Sequence, residues 1–451
     1  MTDLRLYDTA TGRICPLELR DPGRVSMYVC GPTVYDVPHL GHGRFALVFD
    51  VLRRYLEFRG YEVRYVSNVT DVDDKIIERA RREGRTEAEV AAEYERVWWE
   101  AVDALGVARP TAVPHATAYV AQMVALIAEL VDRGVAYETD DGVYLSVEAV
   151  EGYGLLARQS LQSLRAGARV ETGEHKRSPL DFALWKKAKP GEPTWPSPWG
   201  PGRPGWHTEC VVMSLDLLGE DFDIHGGGAD LAFPHHENER AQAVAAGHRF
   251  ARRWVHSGMV VAEGGEKMSK SLGNTLSLPE LVAAADPRAY RLLVLQSHYR
   301  SPMTVGLATL EAAARGVEGL DAFAREFAGA RGAAPDEEVL ASFVRRMDDD
   351  LDTPAAVAGL FGAMREARAA PGERAAAIAA AVIVAWEEAL GLPLGGPPSE
   401  VPPDAAAKAA RRDEARAARD WARADALRDE LGAEGWIVED TPAGTTLRRS
   451  R

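Results

Sequence analysis

The stretch that most constrains this chain is an early strand–helix–strand run. Val25 to Val29 is apolar and β-branched and ends at the breaker Cys30-Gly31-Pro32. A loop is expected to run to Gly43. Phe45, Val48, Phe49, Leu52, Tyr55 and Leu56 then recur at helical spacing as far as Gly60. Glu62 to Val66 is a second strand. A connection of this length implies a right-handed βαβ unit and a parallel sheet, so the fold class is α/β. A helix from Asp74, stopped near Gly84, and another from Thr86, with Glu89 completing a capping box, follow.

At 451 residues the chain is long enough for roughly three domains. With 46% hydrophobic and 27% charged residues it is an ordinary globular composition, which excludes collagen-like, coiled-coil and wholly disordered chains. The 53 basic and 68 acidic residues give a net charge of −15, which argues against indiscriminate nucleic-acid binding but leaves room for a local basic patch. Only Cys15, Cys30 and Cys210 occur, so there is no disulfide framework and a reducing compartment is expected. Met1 to Arg13 has no apolar signal-peptide core, and the longest apolar run, Ala375 to Trp386, is too short to span a bilayer. A cytoplasmic protein without a membrane partner is expected.

Pro190 to Trp206 holds too many prolines for regular structure, yet its three tryptophans indicate an ordered, packed loop. Sheet character returns at Asp221 to His225, and the triple glycine Gly226 to Gly228 is expected to lead into a helix beginning near Pro234. From about residue 310 the chain reads as helical. Leu390 to Asp404, with five prolines, reads as a linker. One helix is predicted over 404–431, followed by a short strand-like tail. No internal repeat is evident.

Three constellations carry chemistry. His39-Leu40-Gly41-His42 falls where a loop meets a helix start, and two imidazoles beside a helix N-terminus suit phosphate oxygens. Alone, such a pattern is often surface decoration. Lys267-Met268-Ser269-Lys270-Ser271 follows Gly264-Gly265, and its two lysines can close over a polyphosphate; the plain alternative is a solvated basic loop. The joint occurrence of the two patterns is improbable by chance, and together they resemble the paired signatures of class I aminoacyl-tRNA synthetases. In the third, His235 and Glu239 are four apart on an expected helix, Cys30 ends a strand, and Cys210 follows Trp206-His207-Thr208-Glu209. Two thiolates, an imidazole and a carboxylate suit zinc. By spacing alone, two buried apolar cysteines and a surface His–Glu pair are the more usual reading.

Longer motifs narrow the family. Tyr28 to Asp36 (YVCGPTVYD), Asn68 to Ile77 (NVTDVDDKII), Gly202 to His207 (GRPGWH), His225 to Gly228 (HGGG) and Phe233 to Glu239 (FPHHENE) resemble cysteinyl-tRNA synthetases. The similarity runs over nearly the whole chain; Leu40 stands where isoleucine is usual, a modest change. The resemblance implies a Rossmann-like parallel-sheet catalytic domain over residues 1–310. That domain would carry an inserted segment at about 111–198 and the lysine-loop region at about 255–310. A helical-bundle tRNA-binding region (311–390), a Pro-rich linker (391–403) and a small C-terminal anticodon-recognition domain (404–451) would follow.

The same resemblance implies one zinc ion held by Cys30, Cys210, His235 and Glu239, selecting a cysteine thiolate over the hydroxyl of serine, a distinction an apolar pocket makes poorly. Four protein ligands usually mark a closed structural zinc. The substrate would then add as a further ligand or loosen one, and Glu239 is expected to be the weakly held member. ATP, with Mg2+, would be met by His39, His42, Lys267, Lys270 and Asp230, the last at the ribose hydroxyls. Trp206 would close over the bound cysteine, and Thr70 and Asp71 would contact its polar end or the adenylate. The expected partners are L-cysteine, ATP and tRNA(Cys), and a monomer is expected. Arg412, Arg416, Arg419 and Arg423, spaced 4, 3 and 4, would line one helix face toward RNA phosphates, the plain alternative being a solvated face neutralised by Asp413, Glu414, Asp420 and Asp425. Trp421 and Leu431 would pack inward, and Trp436 would stack on a splayed base or equally be core. Two rival readings are an ATP-dependent cysteine ligase acting on a small amino sugar and a non-catalytic RNA-binding paralogue.

Overall fold

The computed structural model describes residues 4–167, 175–262, 277–395, 401–441 and 444–449. Strands β1 (Arg5–Asp8) and β2 (Arg13–Pro16) pair antiparallel ahead of the expected βαβ unit. That unit is β3 (Arg24–Val29), α1 (Leu40–Phe58) and β4 (Glu62–Ser67), with the two strands parallel. α1 begins at Leu40 and not after Gly43, because His39 caps it: the His39 N–H donates to Nδ1 of His42 at 3.2 Å. α2 (Asp74–Glu83) ends at Gly84 in the left-handed conformation, and α3 (Glu87–Ala104) opens with the Thr86–Glu89 capping box, as the sequence predicts.

An insertion follows. α4 (Val120–Asp132) leads into an antiparallel sheet of β5 (Ala136–Glu138), β6 (Gly142–Leu145), β7 (Phe182–Lys187) and β8 (Gly202–Pro204), with α5 (Leu161–Gly167) between β6 and β7. The Pro/Trp-rich stretch is ordered, but part of it is regular: Trp195 and Gly202 exchange two backbone hydrogen bonds, and β8 pairs with β7. α6 (Trp206–Leu218) returns the chain to the first sheet through β9 (Ile224–Gly228), α7 (Glu237–Ala245) and β10 (Arg253–Ser257). A single core joins the two sheets, with Tyr28 and Val66 from one, Leu184 and Trp185 from the other, and Val211 and Met213 from α6.

One expectation changes here. The strand expected to end at His225 runs on through the triple glycine as β9, where the sheet face is too crowded for side chains: a Cβ on Gly226 would lie 2.3 Å from the Phe49 ring. The helix expected from near Pro234 begins there: Phe233 is extended (φ −142°, ψ 132°), a wide helical turn follows it to His236, and α7 continues from Glu237.

The first sheet runs β10, β9, β3, β4, all parallel. β4 lies on one side of β3 and β9 on the other, so the strand order reverses there. The loops leaving the carboxyl ends of β3 and β9 therefore diverge and open a crevice, the usual ligand position in such sheets. Beyond β10, β11 (Val260–Ala262), α8 (Leu278–Ala284), α9 (Pro287–Leu295) and β12 (Met303–Val305) follow, with β11 and β12 parallel. The remainder is helical as expected: α10 (Leu307–Glu326), α11 (Glu337–Met347), α12 (Thr353–Ala369) and α13 (Gly372–Val384).

The chain divides into two compact units, one comprising Met1–Ala314, Ala341–Gly359 and Glu388–Leu392, the other the rest. A single cut near residue 310 is thus too simple. Asp348 accepts from Tyr55 Oη at 2.6 Å and Asp350 from Tyr299 Oη at 2.7 Å, which ties 341–359 into the first unit. In the second unit the Gly395 N–H donates to Asp321 at 2.8 Å, so the Pro-rich segment is packed at least to that point; residues 396–400 lie outside the described ones. The single helix predicted over 404–431 is two, α14 (Pro403–Ala417) and α15 (Trp421–Ala433), broken where Arg419 turns left-handed (φ 59°). A hairpin, β13 (Trp436–Thr441) with β14 (Gly444–Arg449), closes the chain. Among the described residues no helix is long and apolar enough to cross a membrane.

Candidate active site

The crevice between β3 and β9 is a cleft of about 310 Å³. His39 to His42 and Phe45, at the start of α1, line it, as do Ser257 to Val260 beyond β10. Cys30 and Gly31, just past β3, and Gly228 and Asp230, at the end of β9, complete the lining together with Trp206. Gly31 is needed for the close approach of the two loops, since a Cβ would fall 1.6 Å from the Asn68 carbonyl oxygen. His39 and His42 stack, ring centroids 3.8 Å apart, at the N-terminus of α1, where the helix dipole favours an anion. Lys267 and Lys270 lie outside the described residues. Ser277 pairs with His39 in an isolated bridge, and the Leu278 N–H donates to the Pro38 carbonyl at 2.8 Å.

Four side chains converge behind the lining, all buried: Cys30, Cys210, His235 and Glu239. The two sulfurs are 3.6 Å apart, Cys210 Sγ is 3.7 Å from His235 Nε2, and Glu239 Oε1 lies 2.9 Å from that nitrogen and 3.3 Å from Cys30 Sγ. Tetrahedral zinc, with Zn–S near 2.3 Å and Zn–N near 2.0 Å, sets two sulfurs about 3.8 Å apart and sulfur and nitrogen about 3.5 Å apart. The two sulfurs and the His235 nitrogen have that spacing, with the carboxylate drawn closer, and the soft and borderline donors suit that ion. A second grouping, Cys30, His225, His236 and Glu239, is equally close-set. It holds one sulfur only, and each of its imidazoles has one nitrogen engaged: His225 Nε2 with Glu239 at 2.7 Å and His236 Nδ1 with His256 at 2.8 Å.

The electrostatics favour the charged form at Cys210 and Glu239 and oppose it at Cys30. Burial pushes the Cys210 thiol up, but the hydrogen bond from Cys30 and the neighbouring His235 outweigh it and bring it down to about 6. Burial also raises the Glu239 carboxyl, yet His225 and His235 hold it well below the usual carboxylate range. Burial pushes Cys30 up, and Cys210 and Glu239 push it further.

The Glu239 carboxylate is held from two sides. Its Oε2 is fixed by His225 and its Oε1 faces His235 and Cys30, with no exposed surface on either His225 or Glu239. His225 and His207, to which sequence alone assigns no role, each contact a member of the quartet. Nδ1 of His207 meets Nδ1 of His235 at 2.9 Å and so turns the other ring nitrogen toward the quartet. Both sit inside quoted motifs, HGGG and GRPGWH, which was the available signal.

The remaining candidates divide. Trp206 is 37% exposed and stacks on His235 at 4.1 Å, one face of the ring system thus covering the metal quartet. Asp230 lines the cleft. Thr70 and Asp71 do not: Thr70 is buried with its hydroxyl donating to Glu209 at 2.6 Å, and Asp71 accepts from the Thr117 N–H and hydroxyl at 2.9 and 2.5 Å. In the second unit, the arginines do not share one helix face. Arg412 is buried and bonds Asp440 and Thr445, each at 2.6 Å; Arg416 pairs with Asp440; Arg419 occupies the break; Arg423 lies on α15. Trp436 is core, packed with Ala405 and Leu431, whereas Trp421, expected inside, is 59% exposed.

Comparison with known proteins agrees with this architecture. Residues 16–315 match the family model described as the tRNA synthetases class I (C) catalytic domain, residues 342–395 the DALR domain, and residues 399–448 the cysteinyl-tRNA ligase anticodon binding domain. A cysteine–tRNA ligase of Alkalilimnicola ehrlichii is 46% identical over 99% of this chain and 100% of its own length. Another, of Thermus thermophilus, is 45% identical with the same coverage. A Mycobacterium tuberculosis methionyl-tRNA synthetase in complex with methionyl-adenylate shares the fold, with a TM-score of 0.60 at 15% identity, over 81% of this chain and 89% of that one. Aligned end to end with such relatives, and matched domain by domain from the parallel sheet to the final hairpin, the chain belongs to the cysteine–tRNA ligase family of class I aminoacyl-tRNA synthetases.

Proposed function

We propose that the chain joins L-cysteine to the 3′ end of tRNA(Cys) in two steps. Cysteine and ATP first give cysteinyl-adenylate and pyrophosphate, and the cysteinyl group then passes to the terminal ribose. The observation that carries the amino-acid specificity is the buried Cys30, Cys210, His235 and Glu239 quartet beside the crevice. These four residues would hold one zinc. Bound there, zinc supplies a borderline-soft partner for a thiolate, which a serine hydroxyl does not match.

No nucleophilic side chain is required, since the attacking group is the cysteine carboxylate and the leaving group is pyrophosphate. The protein contributes position and charge. His39 and His42 donate toward the phosphates at the start of α1. Lys267 and Lys270, assigned on the family resemblance, counter the charge developing on the α-phosphate. Asp230 accepts from the ribose hydroxyls, and Trp206 packs over the amino acid. Mg2+ accompanies ATP. Thr70 and Asp71 instead brace the segment after β4 through Glu209 and Thr117.

For tRNA the half-exposed and exposed groups of the second unit, Arg416, Arg419, Arg423 and Trp421, replace the set that includes buried Arg412 and Trp436. The matched anticodon-binding domain favours tRNA over an amino sugar as acceptor. On this reading the protein works in the cytoplasm, where charged tRNA is used. The test is aminoacylation with cysteine and serine in parallel, with zinc measured on the same preparation. Cysteine should be charged, serine not, and one zinc found per chain. Cys210→Ser should lose zinc and cysteine affinity together; full zinc occupancy with normal cysteine binding in that variant would sink the metal assignment.

A further inference from the structure

Two residues past His42, helix α1 carries Arg44, whose side chain has almost no exposed surface. Among the described residues its guanidinium meets no carboxylate. It donates only to backbone carbonyls: Nη1 to Met259 at 2.9 Å, and Nη2 to His298 at 3.1 Å, Tyr299 at 3.3 Å and Ser301 at 2.5 Å. Those carbonyls belong to two adjoining stretches. Met259 lines the crevice opposite the turn that opens α1. The 298–301 turn lies directly against it, for the Gly258 N–H donates to Tyr299 O at 2.7 Å, and a Cβ on Gly258 would come within 2.3 Å of Ser301 O. The turn is gripped from another side by Asp350, which accepts from Tyr299 Oη and from Arg300 Nε, both at 2.7 Å.

Burying a guanidinium with no counter-charge is unfavourable, and apolar packing usually holds two segments together as well or better. Desolvation lowers the Arg44 pKa to about 10, so the group stays charged at neutral pH and bears that penalty in full. What a planar fork of donors adds, and neither a lysine nor an apolar side chain can supply, is fixed distance and direction to several divergent carbonyls at once. Here those distances connect the helix bearing His39 and His42 to the facing lining at Met259.

We infer that Arg44 is a positioning residue for ATP: its guanidinium ties helix α1 to the Met259 wall through backbone carbonyls and so fixes the separation between the two sides of the cleft. The inference rests on the reading that this cleft takes ATP.

The test uses the full chain with Arg44→Lys and Arg44→Met, in cysteine-dependent ATP–pyrophosphate exchange at varied ATP. Both variants should raise the KM for ATP by about 10-fold or more, the scale at which small misplacements are felt, with a smaller change in kcat. Zinc content and cysteine affinity measured without ATP should stay at the parental level. Lysine keeps the charge but lacks the fork, so it should recover part of the melting temperature and little of the KM. A lower melting temperature with an unchanged KM for ATP would make Arg44 merely structural and overturn the inference. So would a loss of zinc, cysteine affinity and ATP affinity in equal measure. If the parent protein itself showed no exchange, the reading of the cleft would fall, and this inference with it.

Discussion

Replacing His225 by leucine tests whether the carboxylate of the metal quartet is held from behind. His225 and Glu239 have no exposed surface, and Nε2 of the ring meets Oε2 of the carboxylate at 2.7 Å. The other oxygen, Oε1, is turned toward His235 and Cys30. Leucine removes the contact to Oε2 and offers no donor in its place. An outer partner of this kind is worth about 10- to 100-fold in metal affinity, or about 1.4–2.8 kcal/mol. Stripping a buried charge of its partner costs the fold about 3–5 kcal/mol. The second effect is the larger, so metal and fold must be read separately: zinc by competition with a chromophoric chelator, fold by tryptophan fluorescence and melting. In the folded fraction the zinc dissociation constant should rise by about 10- to 100-fold. His225→Gln, which keeps a donor, should recover much of that. A folded His225→Leu protein whose zinc affinity matches the parent's would refute the reasoning and leave Glu239 as the loosely held ligand.

The second unit offers two further checks. Trp421→Ala should weaken tRNA charging through KM, on the scale of one lost base stack, about 1–3 kcal/mol, and leave pyrophosphate exchange at the parental rate; equal loss of both activities would make the ring structural. Arg412→Ala should lower the melting temperature and destabilise by about 1–2 kcal/mol, a hydrogen-bonded charge pair discounted for the half-exposed Asp440 carboxylate. The hydrogen bond from Arg412, with Arg416 nearby, holds the Asp440 carboxyl below its usual range. That stabilisation is complete above the unfolded carboxylate value of about 4 and is lost as pH falls through the lower native value. The gap between parent and Arg412→Ala in denaturant titrations should therefore be flat from neutral to mildly acidic pH and shrink only below about pH 4; a gap that widens on acidification would contradict the pairing.

Much of the catalytic half was legible because its chemistry dictates residue type. Val25 to Val66 could be read as βαβ from periodicity, and the crevice follows from strand order once β9 is seen to lie beside β3 and opposite β4. The metal quartet was found by donor type together with family motifs, and its members do converge. The ranking within the quartet was not legible. Glu239 looks like an ordinary i+4 partner of His235 until His225 arrives from strand β9, 14 residues away in sequence, and fixes its second oxygen. Thr70 and Asp71 lie off the cleft lining for a related reason. A threonine and an aspartate just past a parallel strand suit a ligand, but both bond protein groups far along the chain, Glu209 and Thr117, which no local pattern discloses.

The tail shows the limit of periodicity itself. Arg412, Arg416, Arg419 and Arg423 repeat at 4, 3 and 4, which fits a helix face only if the helix is continuous. Nothing in Ala417-Ala418-Arg419-Asp420 resembles a glycine or proline stop, and alanine and arginine are strong helix formers. The one hint is Asp420, an N-cap residue type, whose carboxylate accepts from the Arg423 N–H at 3.1 Å and starts α15 afresh. Once the helix is cut there, the polarity of its neighbours reverses. Trp421 sits at the first position of a helix beside the break and is exposed, whereas Arg412 is drawn inward by the Asp440 carboxylate on β13. An arginine with a hairpin carboxylate in reach can be core, and a tryptophan at a helix start can be surface. Hydropathy ranks those two residues the other way round, and the missing information is the position of a single left-handed residue.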